Sequence, residues 1–179
     1  MNNNLPHIIG LVARSRRGKD TVADYICDRY PEFNYKNIKL SKPVKDVAKI
    51  LYGFSYQQLE GNEKEIIDPR WNITPRDAMV YITTAFMTRH GPDFFSKKIF
   101  SDFDDAALSD TPKHIIITDV RYENDISEII KRNGIVIKII RDTEPYHSWE
   151  NNIDNLEASY TIYNNSTLDD LYAQINTII

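Results

Sequence analysis

The stretch Ala13-Arg14-Ser15-Arg16-Arg17-Gly18-Lys19-Asp20-Thr21 gathers the residue types that grip phosphate. Its spacing is that of a phosphate-binding loop, in which successive backbone N–H groups at a helix N-terminus wrap a dense negative charge. Gly18 lets the backbone come close to an anion. Lys19 is placed to reach the β- and γ-phosphates of a nucleotide, and Thr21 or Asp20 to hold Mg²⁺ directly or through water. Arg16 and Arg17 add cations to the same turn. Two positions depart from the usual pattern: Ala13 stands where the first glycine falls, and Asp20 where a serine or threonine follows the lysine. Taken without its surroundings, the stretch also reads as a basic surface turn ahead of a capped helix.

Other charged groups could serve the same chemistry. Cations fall in three separated places: Arg14, Arg16, Arg17 and Lys19; Arg70 and Arg76; and Arg121. Phosphoryl transfer needs donor and acceptor in line and positive charge around the transferred group, and arginine meets that need with a planar fork that stays charged. Asp119 follows an apolar run, at the strand end where open α/β sheets bind ligands; a cap for the next helix is the plainer role. For Arg121 the plainer role is a surface ion pair. Arg76 lies one residue past a proline at a helix start, where a cation opposes the helix dipole unless an anion stands by. His147 and Glu150 suit a loop hydrogen bond or a helix start equally well. His7, His90, His114 and His147 have no zinc-ligand spacing, and no serine sits in a nucleophile elbow.

These groups need a scaffold, and the apolar pattern supplies one. His7 to Ala13 reads as a buried strand, and Asp20 to Arg29 as a helix with Val22, Ala23, Ile26 and Cys27 on one stripe. Tyr35 to Leu40 is a weaker strand, followed by a helix opened by Pro43 and running to Tyr52. Gly53 to Thr74 is polar and lacks periodicity, so it reads as a loop-rich excursion. Thr74-Pro75 is an N-cap with proline at the first helical position, opening a helix to about Arg89. Phe94 to Ser109 is helical, His114 to Val120 a buried strand, and Asn124 to Arg132 a helix stopped at Asn133-Gly134. Strands at Ile135–Arg141 and Tyr160–Tyr163 and a helix over Thr167–Ile178 complete the chain. Alternating strands and helices imply a mostly parallel central sheet of about five strands in a three-layer α/β fold. The chain reads as one domain, residues 1–179, with 53–90 as an acceptor-binding, lid-like excursion.

Bulk properties narrow the function. With a net charge of −4, the chain lacks the basic surface that nonspecific nucleic-acid binding requires. The single cysteine, Cys27, can form no internal disulfide, which suits a reducing cytoplasm. No apolar run approaches the ~20 residues of a membrane span, and Met1 to Pro6 has no signal-peptide pattern.

The sequence resembles the deoxynucleoside monophosphate kinases of large bacteriophages, within the P-loop nucleoside monophosphate kinase superfamily. Their phosphate loop ends Gly-Lys-Asp-Thr, as Gly18 to Thr21 does, which accounts for Asp20. The likeness continues in order through Leu40-Ser41-Lys42-Pro43-Val44-Lys45, Lys64-Glu65, Arg70-Trp71 and Thr74-Pro75-Arg76. It resumes at Pro92-Asp93-Phe94-Phe95, Asp119-Val120-Arg121, His147-Ser148-Trp149-Glu150 and Ile162-Tyr163-Asn164-Asn165. The resemblance implies a P-loop NTPase fold and transfer of the γ-phosphate of ATP to a nucleoside monophosphate. It implies Lys19 on the donor phosphates and Asp119 near the magnesium, with Asp20 and Thr21. It further implies Arg76 and Arg121 on the acceptor phosphate or the developing charge, Arg70 on a closing segment, and Glu150 at the acceptor. Small kinases of this kind are often dimers and act in the cytoplasm, here the host's if the chain is viral. Where relatives carry a glutamine four residues after the Thr-Pro-Arg arginine, this chain has Val80, and Thr83-Thr84 replaces a later Gly-Thr. A kinase for another small phosphorylated acceptor, a nucleotide-binding protein without turnover and a P-loop NTPase switch are the competing readings.

Overall fold

The computed structural model describes residues 5–106, 114–142 and 153–179. The chain divides into two compact units, Met1–Lys39 with Ile99–Ile179, and Leu40–Lys98.

The first unit is built on five strands: β1 (Ile8–Val12), β2 (Lys36–Ile38), β3 (Ile115–Ile117), β4 (Ile135–Ile140) and β5 (Tyr160–Tyr163). All pairings are parallel, in the order β2-β3-β1-β4-β5. Every residue of β1 and β3 is buried, as a parallel strand covered on both faces requires. Their isoleucines suit this place because a branched Cβ packs well on a pleated surface. Burying each such side chain contributes about 1.5–3 kcal/mol relative to leaving it in water.

Helices cover both faces of this sheet. Ile9 and Leu11 pack with Val22, Ala23 and Ile26 of α1 (Lys19–Arg29) and with Leu171 and Ile175 of the C-terminal helix, Leu168–Asn176. On the opposite face, Gly10 lies against Ile129 of the helix Glu123–Lys131, so close that a Cβ would come within 2.5 Å of its Cδ1. That helix stops where Asn133 turns left-handed, at φ 58°. Thr167 caps the C-terminal helix by accepting the Asp170 N–H, as the Thr-x-x-Asp spacing favours. Three layers result, with the core on each side of β1. The strands β2 and β3 are three residues each, shorter than the spans Tyr35–Leu40 and His114–Val120 read as strands from sequence.

The second unit is helical: α2 (Lys42–Tyr52), α3 (Tyr56–Leu59), α4 (Pro75–His90) and the first residues of α5 (Phe94–Ala106). Counting onward, the first unit's helices are α6 (Glu123–Lys131) and α7 (Leu168–Asn176). Val44 and Ala48 of α2 meet Ala78 and Ile82 of α4 over Phe54 and Leu59. The polar span 53–74 is more ordered than its sequence suggests. Ser55 and Gln58 form a reciprocal capping box that starts α3. Asp68, only 3% exposed, gathers the rest of the segment. Its carboxylate accepts from the Arg70 N–H, from Arg70 Nε at 2.9 Å and Nη2 at 2.6 Å, and from Gln58 Nε2 at 2.8 Å. These bonds hold the Asp68 carboxyl well below the ordinary carboxylate range, the Arg70 side chain being the larger cause.

Candidate active site

The segment between β1 and α1 is a tight loop with two left-handed residues. Arg16 and Gly18 both have positive φ, 58° and 97°, the kind of backbone from which anion-binding nests of N–H groups are built. An arginine held there costs about 1–2 kcal/mol, strain of the kind that concentrates at functional sites. Gly18 is also the N-cap of α1, and with no side chain it offers the first-turn amides no acceptor of its own. The positive end of the α1 dipole therefore faces the loop. Ala13 is buried and its φ is not positive, so the fold has no need of the glycine that usually stands there.

Lys19 folds back across this loop. Its ammonium donates to the carbonyls of Ala13, at 2.8 Å, and Arg14, at 2.7 Å. Both acceptors are weaker partners for an ammonium than a phosphate oxygen. The other loop cations are positioned by the first unit itself. Arg17, 4% exposed, donates to the Arg141 carbonyl at 2.6 Å, and Arg14 forks onto the Asp154 carboxylate. A cavity of about 280 Å³ opens beside the loop, lined by Ala13, Arg14, Arg17, Lys138, Arg141 and Asp154 among others. Lys138 is turned onto the Asp154 and Leu156 carbonyls. Asp20 is exposed on the first turn of α1 and Thr21 is half-buried.

Asp119 lies two residues beyond Ile117, the β3 residue paired with Gly10 of β1. It thus stands at the same strand end as the phosphate loop. At the start of the next helix the buried carboxylate of Asp125 accepts the N–H groups of Arg121 and Tyr122, each at 3.1 Å. Arg121 itself is exposed. Among the described residues, no group of three or more His, Cys, Asp or Glu side chains is gathered to hold a metal. Hydroxyl and carboxylate oxygens at Thr21, Asp20 and Asp119 are nevertheless the hard donors Mg²⁺ takes, a few at a time, with water and phosphate completing its shell.

The second unit carries Arg70 and Arg76. Arg70 is held in the fork to Asp68 and reaches the Gly53 carbonyl at 3.4 Å. Arg76, at the start of α4, pairs with Glu65. The anion that its place on the helix dipole called for is thus supplied by the chain. Val80, one turn further along α4, is 57% exposed, and Thr83 donates its hydroxyl to the Met79 carbonyl. His147, Trp149 and Glu150 lie outside the described residues. Cys27 is half-buried, and burial pushes its thiol up from the ordinary range, away from reactivity.

Two residues with direct contacts to this site belong to an element that the resemblance covers, Ile162 to Asn165, but no role was assigned to them from sequence. Asn164 donates to the Arg17 carbonyl at 3.0 Å, and Asn165 is paired with Asp142 through both its amide atoms. Their signal was the short polar turn after a strand, at the same sheet edge as the phosphate loop.

This strand, loop and helix stand at the end of the central strand of a parallel sheet in a three-layer α/β architecture. The chain is 28% identical over 185 residues to "Putative deoxynucleotide monophosphate kinase" of Acanthamoeba polyphaga mimivirus, covering 94% of this chain and 93% of that protein. The chain is similar to that viral protein over nearly its whole length. The relative comes from a giant virus of an amoeba rather than from a bacteriophage. No family model matches the chain. Among solved structures, a dephospho-CoA kinase from Campylobacter jejuni aligns over 97% of this chain and 96% of its own, at 15% identity and a TM-score of 0.46. No helix among the described residues is long and apolar enough to cross a membrane.

Proposed function

We propose that the protein transfers the γ-phosphate of ATP to a nucleoside monophosphate, preferentially a deoxynucleotide. The observation that carries this reading is the loop of residues 13–21, with left-handed Arg16 and Gly18, in a chain similar over 94% of its length to "Putative deoxynucleotide monophosphate kinase" of the mimivirus. In the reaction, the bond between the γ-phosphorus and its bridging oxygen breaks. A new bond forms to a phosphate oxygen of the acceptor, giving ADP and a nucleoside diphosphate. That acceptor oxygen is largely ionised near neutral pH, so the step requires no general base from the protein. What it requires is placement and positive charge.

The residues divide that work. The loop amides of Arg16 to Lys19 take the donor phosphates, and Lys19 exchanges the Ala13 and Arg14 carbonyls for phosphate oxygens. Thr21, Asp20 and Asp119 are the oxygen donors toward Mg²⁺, which supplies charge neutralisation when bound. Arg121 serves the transferred group or the acceptor. Arg70 and Arg76 serve the acceptor side, in a second unit whose residues 53–90 act as the acceptor-binding, lid-like region. For that they must leave Asp68 and Glu65. The acceptor base is met by Val80 where a hydrogen-bonding side chain would discriminate more sharply, so base selectivity is modest. The cytoplasm, the host's if the chain is viral, is the compartment that supplies both substrates.

The test is an ATP-coupled assay with Mg²⁺ against each deoxy- and ribonucleoside monophosphate, using wild type and Lys19→Ala. Transfer to one or more acceptors in wild type, reduced about 10³-fold or more in the variant, is expected for loss of a cation on the transferred group. Tight ATP binding with no transfer to any acceptor would refute the kinase reading and leave a nucleotide-binding protein.

A further inference from the structure

The phosphate loop is supported from outside by the turn after β5. The Asn164 N–H continues the ladder to the Ile140 carbonyl at 2.8 Å, so the Asn164 backbone is fixed by the end of the sheet. Its side-chain amide donates to the Arg17 carbonyl at 3.0 Å. The same amide lies against Gly18, where an added Cβ would meet its nitrogen at 2.6 Å. Asn165 is held in turn, its amide oxygen accepting the Asp142 N–H at 2.8 Å and its nitrogen donating to the Asp142 carboxylate at 2.6 Å.

In a trans peptide the carbonyl and the following N–H point in opposite directions. All peptide bonds described here are trans. A carbonyl of Arg17 held on Asn164 therefore aims the Gly18 N–H away from Asn164. The loop spans a left-handed Arg16 and a left-handed Gly18, a conformation that would otherwise relax. We propose that Asn164 is a positioning residue for ATP: it sets the Arg17–Gly18 peptide so that the loop amides are preorganised for phosphate. Asn165, anchored on Asp142, keeps Asn164 in register. This inference rests on the phosphate loop being the ATP site, and it assigns a role to a residue that need not touch nucleotide.

The experiment titrates ATP calorimetrically into wild type, Asn164→Ala, Asn164→Asp and Thr167→Ala, with thermal melts of each. Steady-state constants for ATP and acceptor are measured on the same proteins. Asn164→Asp keeps the shape but sets an acceptor against the Arg17 carbonyl, whereas Thr167→Ala weakens the neighbouring α7 cap without touching the loop. The expected result is ATP binding about five- to tenfold weaker in Asn164→Ala, the loss of one neutral hydrogen bond, and at least as weak in Asn164→Asp. KM for ATP rises in step while KM for the acceptor stays within about twofold. Thr167→Ala melts lower yet binds ATP as wild type does. Wild-type binding in both Asn164 variants overturns the inference alone, as does failure of both to fold, or equal loss of binding in Thr167→Ala. A wild type that binds no ATP overturns it together with the reading beneath it. ATP binding without transfer, weakened by the Asn164 substitutions, supports the inference while refuting the kinase.

Discussion

Replacing Gly18 by alanine separates the cost of loop geometry from the cost of lost chemistry, because no charge or ligand is removed. At φ 97° an L-residue is strained, by about 1–2 kcal/mol. The new methyl also meets Asn164 Nδ2 at 2.6 Å, and displacing that amide forfeits its bond to the Arg17 carbonyl, worth about 1 kcal/mol. Together the perturbation is about 2–3 kcal/mol. It can appear in either of two places. If the loop keeps its shape, the whole fold bears the cost and the melting temperature falls by about 4–12 °C. If the loop relaxes, stability is retained and ATP affinity falls by about 30- to 150-fold. Calorimetric ATP titration and thermal unfolding of the same preparation measure both, and the two losses should sum to the stated range. A variant with wild-type affinity and wild-type melting temperature would refute the account of Gly18, Asn164 and the loop between them.

Arg132 bridges α5 and α6, donating to both oxygens of Asp104 and to Glu128 and lying 4.6 Å from the Phe100 ring centroid. Arg132→Met should destabilise the protein by about 1 kcal/mol at neutral pH, a figure kept low because Asp104 is half exposed. Hydrogen bonds from Arg132 hold Asp104 below its ordinary range; Lys131 and then Arg132 do the same for Glu128. Depressed carboxylates stabilise above their unfolded pKa and lose that contribution as pH falls through the folded value. The gap between wild type and Arg132→Met should therefore narrow below about pH 4 in a series of thermal melts. Asp68→Asn should melt below wild type at pH 7, since Arg70 loses its fork, and this gap too should close on acidification as the native carboxyl protonates. A gap that held constant down to low pH would show that the Asp68 charge does not matter.

The sheet was legible because its isoleucines are contiguous. A run such as Ile115 to Ile117 has few places to go but between two helical layers, and the order of strands and helices then implied parallel pairing. The phosphate loop was legible because Gly18, Lys19 and Thr21 fall at fixed offsets from an apolar strand. What periodicity could not reveal was order created by polar side chains. The 53–74 span looked like loop because Asp68, Gln58 and Arg70 carry no hydrophobic pattern, yet a buried carboxylate organises them. The charge conflict at Arg76 was legible, but the anion that answers it is Glu65, eleven residues earlier, a pairing that only folding brings about. Asn164 was visible as part of the turn after the last strand, but its contact was not, since its partner Arg17 is far off in the chain.

The parallel topology also has a consequence for how the protein is made. The central strand β1 leaves the ribosome first, but its two neighbours, β3 and β4, begin only at Ile115 and Ile135. At about 5–20 residues per second, Ile9 waits roughly 5–21 s before its first partner, Ile116, has been synthesised. During that interval an apolar strand remains unpaired, while residues 40–98, contiguous in sequence, are already complete. Yield should therefore depend on translation speed and on chaperones that shield the nascent N-terminus, more than on the stability of the finished fold.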